Sequence, residues 1–389
     1  MTATEKKGTD LLYALLAEAR TYSDVIVMGR GDPDFDTPAH IVAAARQAMV
    51  QHGADYSPPE GILPLRQAIA ERVARRNGIT VDPEQEVVVT NGGQEALFLM
   101  VVASVGAGEA MLVPEPNYNT YNDSLRFARA EKIGVPTRVD QQFRVDPEQM
   151  RVAITPKTRA MLLVSPNNPS AGVVGRADQE ALVAIAREHN LTIIADDIYD
   201  LFVYDGIEHV SSAAIPGAHE RTLTLNALSK SFSMTGWRIG WITGPAHLMQ
   251  RVRKLKAAVS GPNSIVAQHA ALAALTSSYA AVEMMRDTYS KRRKIVLDGL
   301  AAMGIPAGNP QGGQFVFADI SHTGYNSIEL AKHMLTNAHV LVYPGAAFAT
   351  GWENYIRITF LQPEDKLRDA LQRMQRAMES LPARSGQGA

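Results

Sequence analysis

Residues 86–104 read EVVVTNGGQEALFLMVVAS. A β-branched run at 86–90 meets the pair Gly92-Gly93, and 94–104 then runs apolar on all sides. The first part is a strand candidate, the glycine pair a tight turn, and the last part a helix with no polar face, hence a buried one. The alternation continues along the chain. Further strand candidates are 110–113, 160–164, 191–195, 222–226 and 239–243. Between two of them, 178–190 carries Leu182, Ile185, Ala186 and His189 at helical spacing. Strands alternating with helices predict an α/β fold, a mostly parallel sheet with helices on both faces. The apolar runs 161–164 and 191–195, the second broken only by Thr192, suit strands buried on both sides.

The last hundred residues follow another pattern. Helical periodicity at 278–303 and 363–381 flanks short strand candidates at 315–319, 340–342 and 356–360. That predicts a smaller α+β domain, and 389 residues are enough for two domains. The first 35 or so residues hold a helix candidate, 10–20, and a loop, able to pack on the C-terminal domain or reach a partner chain. The tail 382–389 is polar and is expected to be disordered.

Composition excludes several classes. Lys+Arg is 38 against 40 for Asp+Glu, a net charge of −2 with no global attraction to nucleic acid or anionic membrane. There is no cysteine, so thiolate chemistry and cysteine metal sites are ruled out. The 10 histidines have no zinc-type spacing. Asp32, Asp34 and Asp36 alternate like a calcium loop, but Thr37 and Ala43 stand where glycine and glutamate are needed. The basic clusters 251–256 and 291–294 read as solvated helix faces. The polar start 1–7 leads into no long apolar core, which points to a cytoplasmic protein.

Four polar sites follow four of the strand candidates: Gly92-Gly93-Gln94, Asn167-Asn168-Pro169, Asp196-Asp197 with Tyr199, and Ser229-Lys230. In an open parallel sheet, ligands bind beyond the carboxyl ends of the strands, so these sites converge on one crevice. Gly92-Gly93 at a helix start offers free N–H groups to an anion, or is simply a turn. Lys230 is an amine able to form a Schiff base, and Arg238, eight residues on, is suited to a phosphate. Asp196 ends an apolar strand; its carboxylate either caps the next segment or pairs with a cationic group of a cofactor.

With these residues in place, the chain resembles the class I/II aminotransferases of the fold type I pyridoxal-phosphate enzymes, of the bacterial aspartate and aromatic type. The motifs that carry the resemblance are Gly31-Asp32-Pro33-Asp34-Phe35, Tyr56-Ser57-Pro58-Pro59-Glu60-Gly61, Asn91-Gly92-Gly93-Gln94-Glu95-Ala96-Leu97, Pro116-Asn117-Tyr118, Asn167-Asn168-Pro169, Asp196-Asp197-Ile198-Tyr199, the segment 229–240 and Arg357-Ile358-Thr359. The resemblance implies a large domain at 41–285 with a seven-stranded-type sheet. It also implies a small domain at 286–389, joined by an N-terminal arm at 1–40. It implies pyridoxal 5'-phosphate as cofactor, and ping-pong transfer of an amino group from an amino acid to a 2-oxo acid. A lyase of the β-C–S type is the alternative on the same fold.

Residue by residue, the resemblance makes Lys230 the Schiff-base lysine and proton carrier. Asp196 keeps the pyridine nitrogen protonated, Asn168 and Tyr199 bond the ring oxygen, and Tyr118 stacks on the ring. Gly93 and Gln94 backbone groups, with Arg238, hold the phosphate. Tyr56 reaches the phosphate of the neighbouring subunit, which implies a homodimer with shared sites. Arg357 clamps the substrate carboxylate, helped by the Gly31 backbone and Asn168. The sequence departs from the usual pattern at Ala227, where a phosphate-binding serine is common, and Ser229 is the candidate to compensate. Gln94 is uncharged where one aspartate-specific subgroup has a lysine, so Arg30 is either the reader of a distal acid group or simply a surface arginine. No metal is expected.

Overall fold

The computed structural model describes residues 8–53 and 55–382. The polar start 1–7 and the tail beyond Pro382 lie outside the described residues. In chain order the strands are β1 Ile26–Val27, β2 Val87–Thr90, β3 Ala110–Glu115, β4 Glu131–Pro136, β5 Thr158–Val164, β6 Thr192–Asp196, β7 Thr222–Ala227, β8 Gly240–Thr243, β9 Phe315–Asp319, β10 Val340–Leu341, β11 Tyr343–Pro344 and β12 Tyr355–Thr359.

Seven of them form one sheet in the order β2-β8-β7-β6-β5-β3-β4. Only β8 runs antiparallel to its neighbours, so the sheet is mostly parallel, as the alternation required. The period of two along β5 and β6 decides which side chain meets which layer. Leu162, Val164 and Ile194 pack toward the helix Gly93–Ser104. Met161, Leu163 and Ile193 pack toward the helix Arg176–Glu188 on the other face. Both faces are therefore apolar, and each fully buried Leu, Ile or Val adds about 1.5–3 kcal/mol of transfer free energy.

β9, β11 and β12 form an antiparallel sheet in the order β11-β12-β9. The helices Ala280–Ala302, Ser327–Ala338 and Glu364–Glu379 pack about it. The N-terminal segment joins this region. β1 pairs in parallel with β10, Ile26 opposite Val340 and Val27 opposite Leu341.

Three sequence expectations need correction. The helix with the 182–186 stripe ends at Glu188, so His189 lies beyond it and is exposed. Edge strand β4 had no signal, because Val135 alone among its residues is buried. The basic clusters are not solvated faces throughout. Lys256 is fully buried, and Arg292 and Arg293 nearly so. Each of the three is drawn in by a carboxylate: Glu95, Asp34 and Asp205 respectively. Among the described residues no single helix is long and apolar enough to cross a membrane.

Candidate active site

The strand ends meet at one cavity of about 490 Å³. Gly31, Gly93, Gln94, Tyr118, Asn168, Asp196, Tyr199, Ser229, Lys230, Arg238, Arg357 and Arg30 all line it. Tyr56 does not; it stands outside, 94% exposed.

Asp196 is the last residue of β6 and is buried. Its Oδ1 accepts from Ile198 N at 3.0 Å, and its Oδ2 accepts from the Tyr121 hydroxyl at 2.8 Å. Asp196 thus caps the next segment and still faces the cavity. Burial, opposed by those two donors, pushes the carboxyl up to about 6. It forms no ion pair among the described residues. Tyr199, buried three residues on at the turn after β6, meets the ring of Phe315 edge-on at 5.2 Å. Burial raises its phenol well above the ordinary value.

Lys230 sits in the short helix Leu228–Ser231 after β7, and its Nζ donates to the Gly31 carbonyl. Burial lowers its ammonium to about 8; Asp32 opposes that shift, while Arg357, Arg238 and Arg30 add to it. At neutral pH a useful fraction is free amine, the form that acts as nucleophile and base.

The glycine turn lies directly against an arginine. Gly92 has φ +78°, and a Cβ there would lie 2.7 Å from Arg238 Nη2. Arg238, itself at φ 54°, donates from Nη1 to Thr235 O at 2.9 Å. The guanidinium therefore stands against the N-terminus of the helix Gly93–Ser104, where backbone N–H groups and dipole both favour an anion.

Arg357, on β12, is 5% exposed. Its Nη1 donates to Asn168 Oδ1 at 2.7 Å, and its Nη2 donates to the Gly29 carbonyl. The guanidinium carbon lies 4.8–5.2 Å from the ring centroids of Phe348, Phe315 and Tyr343. Nε has no partner, and no carboxylate pairs with this buried cation among the described residues. A buried charge without a counter-charge is costly, so the site is built for a ligand anion. Arg30 differs: it is paired with Asp32 at 2.7 Å and exposed at the cavity rim.

The chemistry of these groups suits pyridoxal phosphate. A buried carboxylate without a cationic partner, a glycine cradle against an arginine, and a lysine with a lowered ammonium fit its ring nitrogen, phosphate and aldehyde in turn. Three residues at the site carry no signal of their own in the sequence: Tyr121, which no local pattern marks; Asp32, which stands only in a failed calcium-loop pattern and in the motif 31–35; and Thr235, which lines the cavity from within the segment 229–240. Among the described residues no cluster of three or more metal-ligating side chains occurs.

Comparison with known proteins follows from this geometry. The family model "Aminotransferase class I and II" matches residues 23–374. The chain is 36% identical to an aromatic-amino-acid aminotransferase of Thermococcus litoralis, over 93% of each chain. It is 40% identical to an arginine–pyruvate transaminase of Pseudomonas aeruginosa, over 94% of this chain and 93% of that one. The structure of Thermus thermophilus aspartate aminotransferase with maleate superposes with a TM-score of 0.90 at 37% identity, covering 96% of this chain and 97% of the other. Nothing in these likenesses favours the lyase alternative. The chain belongs to the class I and II aminotransferases, pyridoxal-phosphate enzymes that move an amino group between an amino acid and a 2-oxo acid.

Proposed function

We propose that the cavity is the transamination site and that its residues divide the work as follows. When bound, pyridoxal phosphate supplies the carbonyl that carries the amino group and the electron sink. Gly93 and Gln94 N–H groups, Arg238 and Ser229 hold its phosphate. Asp196 holds the proton of the ring nitrogen, Asn168 and Tyr199 hold the ring oxygen, and Tyr118 covers the ring. Lys230 Nζ attaches the cofactor and afterwards moves the substrate α-proton; its lowered ammonium supports that role. Arg357 and the Gly31 backbone clamp the substrate α-carboxylate. The observation that carries the reading is Arg357, a buried cation caged by three aromatic rings with no carboxylate of its own.

The finer parts of the reading concern assembly and specificity. Two copies pair, and the exposed Tyr56 of each reaches the other's phosphate; its 94% exposure in one chain supports this. The chain divides into a large unit at 41–285 and a small unit from 1–40 and 286–389, and it works in the cytoplasm. Arg30 reads a distal acid group only when that group displaces Asp32.

One experiment tests the core. The yellow protein is mixed with single amino acids, and conversion of the aldehyde form to the amine form is followed by absorbance. The expected product is a 2-oxo acid with pyridoxamine phosphate left on the protein. Release of ammonia and pyruvate with the aldehyde form regenerated means elimination, and a protein that binds no pyridoxal phosphate ends the reading altogether.

A further inference from the structure

The helix Gly93–Ser104 carries a contradiction at its start. Its first turn holds Glu95, beside the backbone N–H groups assigned to the phosphate. A carboxylate there competes for the same positive end of the helix dipole. It would also repel a dianion bound at those N–H groups.

Among the described residues the cation paired with Glu95 is Lys256. Lys256, on the helix Ala246–Val259, is fully buried. Its Nζ donates to Glu95 Oε2 at 3.0 Å and to Ser260 Oγ at 2.8 Å. Ser260 in turn donates to Glu95 Oε1. Glu95, 10% exposed at its side chain, spends its other capacity on the cradle turn: Oε2 accepts from Asn91 N at 2.6 Å. Asn91 is the residue before Gly92, and its carbonyl faces Arg238 Nη2 at 3.5 Å. Asn263 Nδ2 donates to Asn91 Oδ1 at 3.0 Å and closes the network. Lys256, Glu95 and Asn91 thus form a chain from a buried ammonium to the turn that fixes Gly92 against Arg238.

We propose that Lys256 is a positioning residue of the phosphate cradle: through Glu95 it pins the Asn91-Gly92-Gly93 turn, and its charge cancels a carboxylate that would otherwise repel the phosphate. The inference rests on the assignment of that cradle to the cofactor phosphate. Lys256 touches neither cofactor nor substrate. Its effect is therefore specific to ligands that carry the phosphate, which a merely structural ion pair between two helices would not produce.

The test measures equilibrium dissociation constants of the cofactor-free protein for pyridoxal phosphate and for pyridoxal, by absorbance and by dialysis, in four forms: wild type, Lys256→Met, Glu95→Gln and Lys256→Met with Glu95→Gln. Lys256→Met should weaken pyridoxal phosphate at least tenfold and pyridoxal less than twofold. The double substitution, which leaves no buried charge unpaired, should recover most of the loss. Equal weakening of both ligands, or no weakening of either, overturns the proposal. If Lys256→Met fails to fold, Glu95→Gln decides: with the carboxylate gone and Lys256 still charged, pyridoxal phosphate should bind at least threefold more tightly with pyridoxal unchanged, and no selective gain refutes charge cancellation. A wild-type protein that binds neither ligand would instead overturn the cofactor assignment beneath it.

Discussion

Replacing Asp196 by asparagine should change how the stability of the cofactor-free protein depends on pH. The carboxyl stands at about 6 in the fold, against an ordinary 3.8, because burial outweighs its bonds from Tyr121 and Ile198. A rise of about two units at 1.36 kcal/mol each amounts to about 3 kcal/mol. The sign follows from proton counting. Between those two values the folded chain keeps a proton that the unfolded chain has released, so stability falls as pH rises through the window and stays lower above it. Asparagine has nothing to titrate. Urea denaturation of both cofactor-free proteins, from about pH 4 to pH 7, should therefore show the variant gaining up to about 3 kcal/mol relative to wild type. Saturating pyridoxal phosphate should abolish or reverse that gain, since a cationic ring nitrogen gives the carboxylate its counter-charge. A difference between the two proteins that stays flat across the window would refute the burial argument.

Three further outcomes follow from named geometry. The rate at which pyridoxal phosphate is captured by cofactor-free protein should rise with pH through about 8, as Lys230 loses its proton; a midpoint near the ordinary 10.5 would contradict its burial. Arg357→Lys keeps the charge but loses the fork that bonds Asn168 and Gly29, so KM for amino and oxo acids should rise about 10–100-fold, the worth of one charged hydrogen bond, in steady-state assays. Gly92→Ala puts a Cβ against Arg238 at a positive φ and should cost about 1–3 kcal/mol in urea denaturation together with weaker cofactor retention; an unchanged midpoint would show that the cradle has slack.

The sheet was legible because its central strands are buried on both faces and so read as unbroken apolar runs. β4 was not, because an edge strand half in solvent needs few apolar residues. The site residues on strand ends were legible for the reason that Lys230, Asp196 and Asn168 each follow a recognisable run. Tyr121 and Lys256 were not. Tyr121 reaches Asp196 only because β3 and β6 flank β5 in one sheet, and no local spacing encodes that neighbourhood. Lys256 sits in a run of basic residues whose commonest fate is solvent; its burial depends on Glu95, far away in sequence. Arg30 is legible from its place beside Gly31, but its pairing with the rim carboxylate of Asp32 depends on loop geometry that no local spacing encodes.

The pairing of β1 with β10 also constrains the order of events at the ribosome. Ile26 cannot find Val340 until almost the whole chain has been made. The loop that carries Arg30, Gly31 and Asp32 follows β1 directly, and Arg357 emerges later still. A nascent chain can therefore assemble the central sheet while Arg357, the charged half of the proposed carboxylate clamp, has yet to be synthesised. Closing so long a loop costs only about 5 kcal/mol of chain entropy, because the cost grows with the logarithm of length. Translation thus withholds the buried guanidinium proposed to grip an amino acid until the scaffold beneath it is already built.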